Sequence, residues 1–339
     1  MERQISRRNF LKTSTIALGT VAVSNFTGVG SAVAAPQDKA RVFFTEDISV
    51  NGLQKIYSKI NQGMTGKIGI KLHTGEPHGP YLIPLELTKA LQSHVPKSNL
   101  VECNVLYPSP RQTTKGHRET LKINGFDFCP VDIMDEDGDT MLPIPGMREF
   151  FDEWLSPALK NRPYTPGVHL TEIAVGKNLL NYDSLLVLTH FKGHTSGGFG
   201  GSLKNIGIGC ASGKVGKRQI HGEGWSKGPL FLERMVESGK GTAAHFGTHI
   251  TYINVLKNIS VDCDCAGTTA VKPTCRDIGI VGSTDILATD KASVDMVYAL
   301  PEAERRDMVE RIESRSGLRQ LEYMKTLNMG KDQYELIAL

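Results

Sequence analysis

The sequence predicts an α/β protein with mainly parallel sheets flanked by helices, arranged as two lobes with a cleft between them. Short apolar runs that are typical of buried strands alternate along the chain with segments whose apolar residues recur at helical spacing. This alternation indicates strand–helix–strand crossovers, which join parallel strands. The composition, 40% hydrophobic and 22% charged, is that of an ordinary globular protein.

The first lobe is expected over residues 35–145. Leu53, Ile56, Tyr57 and Ile60 recur at the spacing of one helix face and lie between two apolar runs. The strands predicted in this lobe are 41–44, 67–73, 100–106 and 130–134, and the helices are 53–60, 81–95 and 114–123.

The second lobe is expected over residues 146–339, and its predicted elements follow the stretch 143–166, which contains several Pro and Gly residues. Thr284 and Asp285 precede an apolar periodic segment and predict the N-cap of a helix. The predicted strands are 184–189, 250–259, 277–282 and 334–338, and the predicted helices are 286–300, 301–314 and 318–327.

Residues 1–34 have the pattern of a twin-arginine signal peptide. Arg7 and Arg8 stand in a charged segment, a weakly apolar stretch follows, and Ala32-Val33-Ala34 forms a cleavage site. We therefore expect export by the twin-arginine translocase to the periplasm or cell envelope. This route carries folded proteins, which often acquire a cofactor before export.

Removal of the signal also changes the charge of the chain. Residues 1–34 carry four basic side chains and one acidic one, so the formal net charge of +3 becomes zero in the mature chain. This neutral balance argues against nucleic acid as a partner. The mature sequence also predicts no membrane span.

Lysines and histidines follow two predicted strands, where open α/β sheets bind their ligands. We predict that these residues line a cleft, act in catalysis and bind a small anionic substrate: Lys71, His73, His190, Lys192 and His194. The alternative is a structural network in which the lysines pair with Glu76, Asp264 and Asp285.

A glycine cluster follows these histidines and precedes a predicted helix. Glycines allow close approach of the backbone to a ligand, and a helix start offers N–H groups to an anion. The candidate cofactor-binding residues are Gly197, Gly198, Gly200, Gly201, Lys204 and Asn205. The spacing matches neither a Walker loop nor a dinucleotide fingerprint, and a plain flexible loop is the alternative.

Six cysteines occur in the chain. Two cysteines separated by one residue would form a strained disulfide, but they can supply two thiolates to one metal. We predict that a transition metal or iron–sulfur cluster is held by Cys210, Cys263 and Cys265 with His190 or His194. Cys275 is either a fourth thiolate ligand or a packed apolar residue. Cys103 and Cys129 could instead form a disulfide with each other.

Several stretches resemble the proteins of the domain-of-unknown-function family 362. The resembling segments are IKLHTGEP, THFKGH followed by GGFGGSLKNIGIGCAS, NISVDCDC, DIGIVGSTDILATDKASVD, and LEYMKTLNMG followed by YELI. The resemblance implies an α/β fold and a metal or iron–sulfur association, but no particular reaction. The sequence lacks the repeated Cys-x-x-Cys runs of a fused ferredoxin module.

Three classes of function agree with these observations. The first is a metal- or cluster-dependent redox enzyme of the cell envelope that acts on a small anionic substrate. The second is a cofactor-assisted isomerase or racemase of a small acid, suggested by a distant likeness to the nickel-dependent lactate racemases. The third is a non-catalytic metal-binding protein, whose metal would be enclosed by four protein ligands.

Overall fold

An eight-stranded mixed sheet forms the centre of the protein in this computed structural model, which describes residues 39–147 and 169–339. In chain order the strands are β1 (Ala40–Thr45), β2 (Ile68–Lys71), β3 (Ser98–Glu102), β4 (Val131–Ile133), β5 (Asp139–Pro143), β6 (Glu172–Gly176), β7 (Ser184–His190), β8 (Lys192–His194), β9 (Gly198–Gly200), β10 (Ile250–Leu256), β11 (Gly279–Ser283) and β12 (Tyr334–Ala338). The sheet order is β12-β1-β11-β10-β7-β2-β3-β4. The remaining strands form two antiparallel ribbons, β5 with β6 and β8 with β9.

Most neighbours in the central sheet are parallel. Only β11 runs antiparallel to its two neighbours, β1 and β10, among the strands that the structure describes. The predicted α/β class with a mainly parallel sheet is confirmed. Strands β7 and β10 are buried along their whole length, as expected for central parallel strands that are covered on both faces.

Helices cover both faces of the sheet. In chain order they are α1 (Val50–Ile60), α2 (Leu85–His94), α3 (Thr114–Asn124), α4 (Ser202–Gly207), α5 (Gly216–His221), α6 (Pro229–Phe246), α7 (Ile286–Tyr298), α8 (Glu302–Ser314) and α9 (Arg319–Thr326). Helices α1 to α3 pack their apolar faces on one side of the sheet. The later helices pack on the other side, so the core has two layers.

Local sequence signals explain the helix ends. The side chain of Ser49 accepts a hydrogen bond from the N–H of Gly52 at the start of α1, and Asp285 accepts one from Ala288 at the start of α7. The helix predicted from residue 81 begins later, at Leu85, because a proline disfavours helical backbone at the residue before it and Pro84 itself has a non-helical ψ of 126°. The N-cap predicted at Asp285 is thus present.

The two predicted lobes contribute to one sheet. Strands from residues 35–145 pair directly with strands from 146–339: β1 pairs with β11 and β12, and β2 pairs with β7. The division near residue 145 therefore does not separate two sheets, because β1 lies between β11 and β12, which both belong to the C-terminal part. As a domain boundary it stays a prediction.

Helix α6 has no counterpart in the predicted elements. Its glycines weaken the helical signal, but they allow close packing. A Cβ at Gly239 would lie 2.7 Å from Leu203 of α4, and one at Gly241 would lie 3.0 Å from Ile173 of β6. Within the described residues, none of the helices combines the length and apolar character needed to cross a membrane.

Candidate functional site

Four adjacent parallel strands, β10, β7, β2 and β3, end at the same edge of the sheet. Lys71 ends β2, Glu102 ends β3 and His190 ends β7. The chain that leaves β10 leads within a few residues to Cys263 and Cys265. This edge is where open α/β sheets bind ligands.

A cavity of about 310 Å³ lies at this edge of the sheet. The structure brings all five predicted catalytic residues into its lining: Lys71, His73, His190, Lys192 and His194. Four of the six candidate cofactor-binding residues line it as well: Gly200, Gly201, Lys204 and Asn205. Gly197 and Gly198 are not part of the lining. The catalytic and cofactor-binding roles themselves stay predictions.

The wall of the cavity is strongly cationic. Its lysine and arginine side chains are Lys71, Arg111, Lys192, Lys204 and Lys217. Glu102 is the single carboxylate among the described lining residues. Such a wall favours a small anion as the ligand.

Glu102 is the centre of a buried polar network. Its carboxylate accepts hydrogen bonds from Arg111 Nη2 at 2.9 Å and from Thr74 Oγ1 at 2.6 Å, and it lies 2.9 Å from His117 Nε2. Lys71 Nζ is 3.9 Å away. Burial would raise the pKa of Glu102, but Arg111, the bond to His117 and Lys71 hold it well below its ordinary value. Glu102 is therefore ionised, and its charge fixes the two buried cations.

Asn205 connects α4 to two strand ends. Its side-chain oxygen accepts a hydrogen bond from Lys71 Nζ at 3.0 Å, and its Nδ2 lies 3.0 Å from the carbonyl of Leu188 and 3.2 Å from that of Lys71. Lys71 Nζ also donates to the carbonyl of Leu72 at 2.6 Å. Burial lowers the pKa of Lys71, and Glu102 opposes this shift. Asn205 thus positions Lys71 at the wall of the cavity.

Asp264 organises the second strand end. It lies 2.9 Å from His190 Nδ1 and 2.9 Å from Lys192 Nζ. Burial would raise the pKa of Asp264, but these two neighbours hold it well below its ordinary value. The other nitrogen of His190, Nε2, donates to the carbonyl of Lys257 at 2.8 Å. Both ring nitrogens of His190 face acceptors, so the structure leaves this residue outside the metal-ligand set that the sequence predicted.

This arrangement agrees in part with the alternative of a structural ion-pair network. Lys192 does pair with Asp264, as that alternative expected. Glu76 instead pairs with Arg111 and accepts a hydrogen bond from Tyr107, and Asp285 caps α7.

His194, Cys263 and Cys265 form a compact group of potential metal ligands. Their donor atoms all lie within 4.8 Å of one another. A hydrogen bond from the Cys265 thiol lowers the pKa of Cys263, and Lys204 and Lys192 act in the same direction against burial. Lys204 Nζ is 3.9 Å from the Cys263 sulfur. These neighbours favour the thiolate form of Cys263, which is the form that binds metals.

Cys210 lies apart from this group, so its predicted role as a ligand is not supported. It follows α4 as expected, but its side chain is buried in the hydrophobic core, where burial raises its pKa to about 11. Cys275 is packed in another apolar cluster. Cys103 and Cys129 contact different clusters and are free thiols, so the alternative disulfide is not formed.

His73 and His194 are both neutral. Nδ1 of His73 accepts a hydrogen bond from the N–H of Gly75 at 3.0 Å, and Nδ1 of His194 accepts one from Gly197 at 2.9 Å. Each ring proton therefore lies on Nε2. Burial, aided by Arg111, lowers the pKa of His73 well below its ordinary value, and burial with Lys204 does the same for His194.

The glycine cluster forms the ribbon of β8 and β9 and then enters α4. The N–H groups of Ser202 and Leu203, at the start of α4, donate to the buried carboxylate of Asp290 at 2.7 and 2.9 Å. A Cβ at Gly201 would lie 2.4 Å from the same carboxylate. Asp290 thus occupies the position where the sequence predicted a ligand anion, and the glycine permits its approach.

Sequence reasoning missed several residues of the cavity, including Glu102, Arg111, Lys217 and Trp225. Glu102 could have been found from its place at the end of a strand, as Lys71 was. Arg111 lies in a loop and Lys217 in a short helix, and neither has a local pattern that distinguishes it from a surface cation.

The sequence matches a family model over residues 68–295, which is more than half of the chain. The model describes a domain of unknown function (DUF362). The chain belongs to this family. The expected family membership is therefore confirmed, and no curated protein shows a significant match to the sequence.

Two solved structures share a distant likeness of fold. One is a lactate racemase apoprotein from Thermoanaerobacterium thermosaccharolyticum, at 10% identity and a TM-score of 0.40, and the match covers 78% of this chain and 58% of that one. The other is a Thermotoga maritima protein from a structural genomics programme, at 14% identity and a TM-score of 0.36, with 79% and 58% covered. The chain thus spans under two thirds of each. At these TM-scores, neither likeness supports an argument about activity.

Proposed function

We propose that the cavity is the active site of a metal-dependent enzyme that acts on a small anionic substrate. The observation that carries this proposal is the placement of His194, Cys263 and Cys265. His194 and Cys265 line the cavity, and the sulfur of Cys263 lies within 4.8 Å of their donor atoms. Three protein ligands leave one position of a tetrahedral metal open, as in catalytic sites, whereas structural sites have four.

The donor set fits a soft or borderline transition metal. Two sulfurs and one imidazole suit zinc, copper or iron better than magnesium or calcium. The donor atoms are within 4.8 Å of one another, and metal–ligand bonds of about 2.0–2.3 Å would bring them closer. The hydrogen bond to Cys263 raises the pKa of Cys265 well above its ordinary value, so this thiol must lose its proton to bind a metal as a thiolate. Metal binding is therefore expected to release protons.

Within this proposal the chain's own residues hold and orient the substrate. Lys192 and Lys204 lie beside the thiol pair and attract an anionic group towards it. Neutral His73 offers an Nε2–H as a donor to a substrate oxygen. A bound transition metal would supply Lewis-acid or redox chemistry.

An oxidoreductase is the reaction class that we favour over an isomerase. An isomerase of a small acid needs a base next to the substrate carbon. His73 uses its Nδ1 lone pair in a backbone hydrogen bond and carries its proton on Nε2, and His194 is assigned to the metal. Neither histidine is therefore free to remove a proton.

The test is the metal content of the purified full chain. Cys263→Ser combined with Cys265→Ser should reduce bound transition metal from about one per chain to near zero, since two of the three ligands are lost. Cys103→Ser is the matched control, because Cys103 is a buried thiol outside the group. Full metal content in the folded double variant would contradict the proposal.

Export is a second part of the proposal, and it rests on the sequence alone. The signal segment, 1–34, lies outside the described residues. Replacing Arg7 and Arg8 by Lys should retain the protein in the cytoplasm, whereas the unchanged protein should appear in the periplasmic fraction. Undiminished export of the Lys-Lys form would contradict a twin-arginine route.

A further inference from the structure

Lys217 is a buried cation that lacks a carboxylate partner among the described residues. Its side chain is on α5 and is 4% exposed. The ammonium group donates a hydrogen bond to the carbonyl of Ala211 at 2.6 Å. No described carboxylate lies within ion-pair distance of it, although every other buried lysine at the site has one: Lys71 has Glu102 and Lys192 has Asp264.

Lys217 lies in an already cationic part of the cavity wall. Lys217 and Lys71 both line the wall. Glu102, the single carboxylate of the described lining, is committed to Arg111 and His117 through bonds of 2.9 Å each. Burying an ammonium group without a counter-charge is unfavourable unless another group compensates for it.

An apolar wall lies beside this cation. His221, on the same helix, is stacked on Phe231 with ring centroids 4.9 Å apart and lies 4.5 Å from the ring of Trp225. All three rings line the cavity. The combination of a buried cation and an aromatic surface suits a ligand that has both a negative group and a carbon skeleton.

We propose that Lys217 binds the oxyanion group, a carboxylate or a phosphate, of a small organic substrate. The proposal deepens the function inferred above and rests on it for the identity of the cavity as an active site. Lys204 and Lys192 are the cations next to the thiol pair. Lys217 lies in another part of the wall, near Lys71 and His221. Anchoring at Lys217 therefore leaves another part of the substrate to reach the thiol pair.

The experiment measures anion binding by the full chain. Sodium acetate and sodium phosphate serve as probes, titrated by calorimetry at constant ionic strength maintained with sodium chloride. Lys217→Met, whose unbranched side chain is one atom shorter and carries no charge, should weaken binding of the preferred probe at least tenfold. Lys214→Met is the matched control, because Lys214 precedes the same helix but is exposed, and it should leave binding unchanged. Stronger binding of acetate indicates a carboxylate substrate, and stronger binding of phosphate indicates a phosphorylated one.

Two further readouts separate an anion site from a structural role. Lys217→Met should be at least as stable as the unchanged protein without added anion, because it removes an uncompensated buried charge. Its metal content should be unchanged, so a failure of the metal proposal is distinguishable from a failure of this one. Failure of both probes to bind the unchanged protein, equal binding by Lys217→Met, or a loss of stability in that variant would overturn the proposal.

Discussion

Replacing Glu102 by Gln should strongly destabilise the protein. Glu102 is 2% exposed, and its carboxylate is 2.9 Å from Arg111 Nη2 and 3.9 Å from Lys71 Nζ. The substitution preserves the shape of the side chain but leaves Lys71 buried without a carboxylate partner and leaves Arg111 with Glu76 alone, at 3.4 Å. Breaking a buried ion pair by removing one partner costs about 3–5 kcal/mol. We expect a loss of that order in the free energy of unfolding at pH 7.

Urea unfolding at several pH values is the assay. The control is Glu136→Gln, which removes an ion pair with Arg118 whose side chains are 45% and 29% exposed, and which should cost at most about 1 kcal/mol. The folded-state pKa of Glu102 is lowered, so its contribution is present above the unfolded pKa and is lost only as pH falls through the folded pKa. The deficit of Glu102→Gln should therefore persist down to pH 4.5. A loss below about 1 kcal/mol at pH 7 would refute this account of the network.

Two other substitutions, Asp290→Ala and Glu237→Gln, test buried carboxyl groups that stabilise the site and the core. Asp290→Ala should lower the free energy of unfolding by about 1–3 kcal/mol, because the N–H groups of Ser202 and Leu203 lose a buried acceptor. It should also weaken anion binding, because the start of α4 is then held less firmly. Urea unfolding measures the first effect and calorimetric anion titration the second, and unchanged values for both would contradict this prediction. Burial raises the pKa of Glu237 to about 7, despite the hydrogen bond from Tyr323, so its folded form binds a proton more tightly than the unfolded chain does. Its contribution to stability should be greatest below about pH 4.5 and fall by about 2–3 kcal/mol as pH rises to 7, and Glu237→Gln should remove this slope in unfolding experiments. A parallel pH dependence in the two proteins would mean that the hydrogen bonds outweigh burial.

Apolar periodicity was sufficient to predict the central strands and most of the helices. Leu185–Leu188, within the predicted strand 184–189, are continuously apolar because β7 is covered on both faces, and this is a strong local signal. Helix α6 was missed because Gly239 and Gly241 lower its intrinsic helix propensity. Their value lies in contacts with Leu203 and Ile173, which are distant in sequence. Only the folded protein reveals such contacts.

The candidate site was likewise predictable only in part from the sequence. Lys71 and His190 could be placed because each follows an apolar strand, and parallel strands end at a common edge. The sequence could not assign individual partners, since ring orientation decides them. His190 faces Asp264 and the carbonyl of Lys257, whereas His194 lies with the thiol pair. The pairing of Asp290 with the start of α4 likewise depends on a contact between segments 88 residues apart.

The central claim is that His194, Cys263 and Cys265 hold a transition metal at the edge of the cavity. X-ray absorption at the edge of whichever metal copurifies with the full chain tests this most directly. The account predicts two sulfur ligands at about 2.3 Å and one nitrogen ligand at about 2.0–2.1 Å, with the sulfur signal lost in the Cys263→Ser, Cys265→Ser variant. A chain without bound metal, or a metal surrounded only by oxygen and nitrogen, would contradict it.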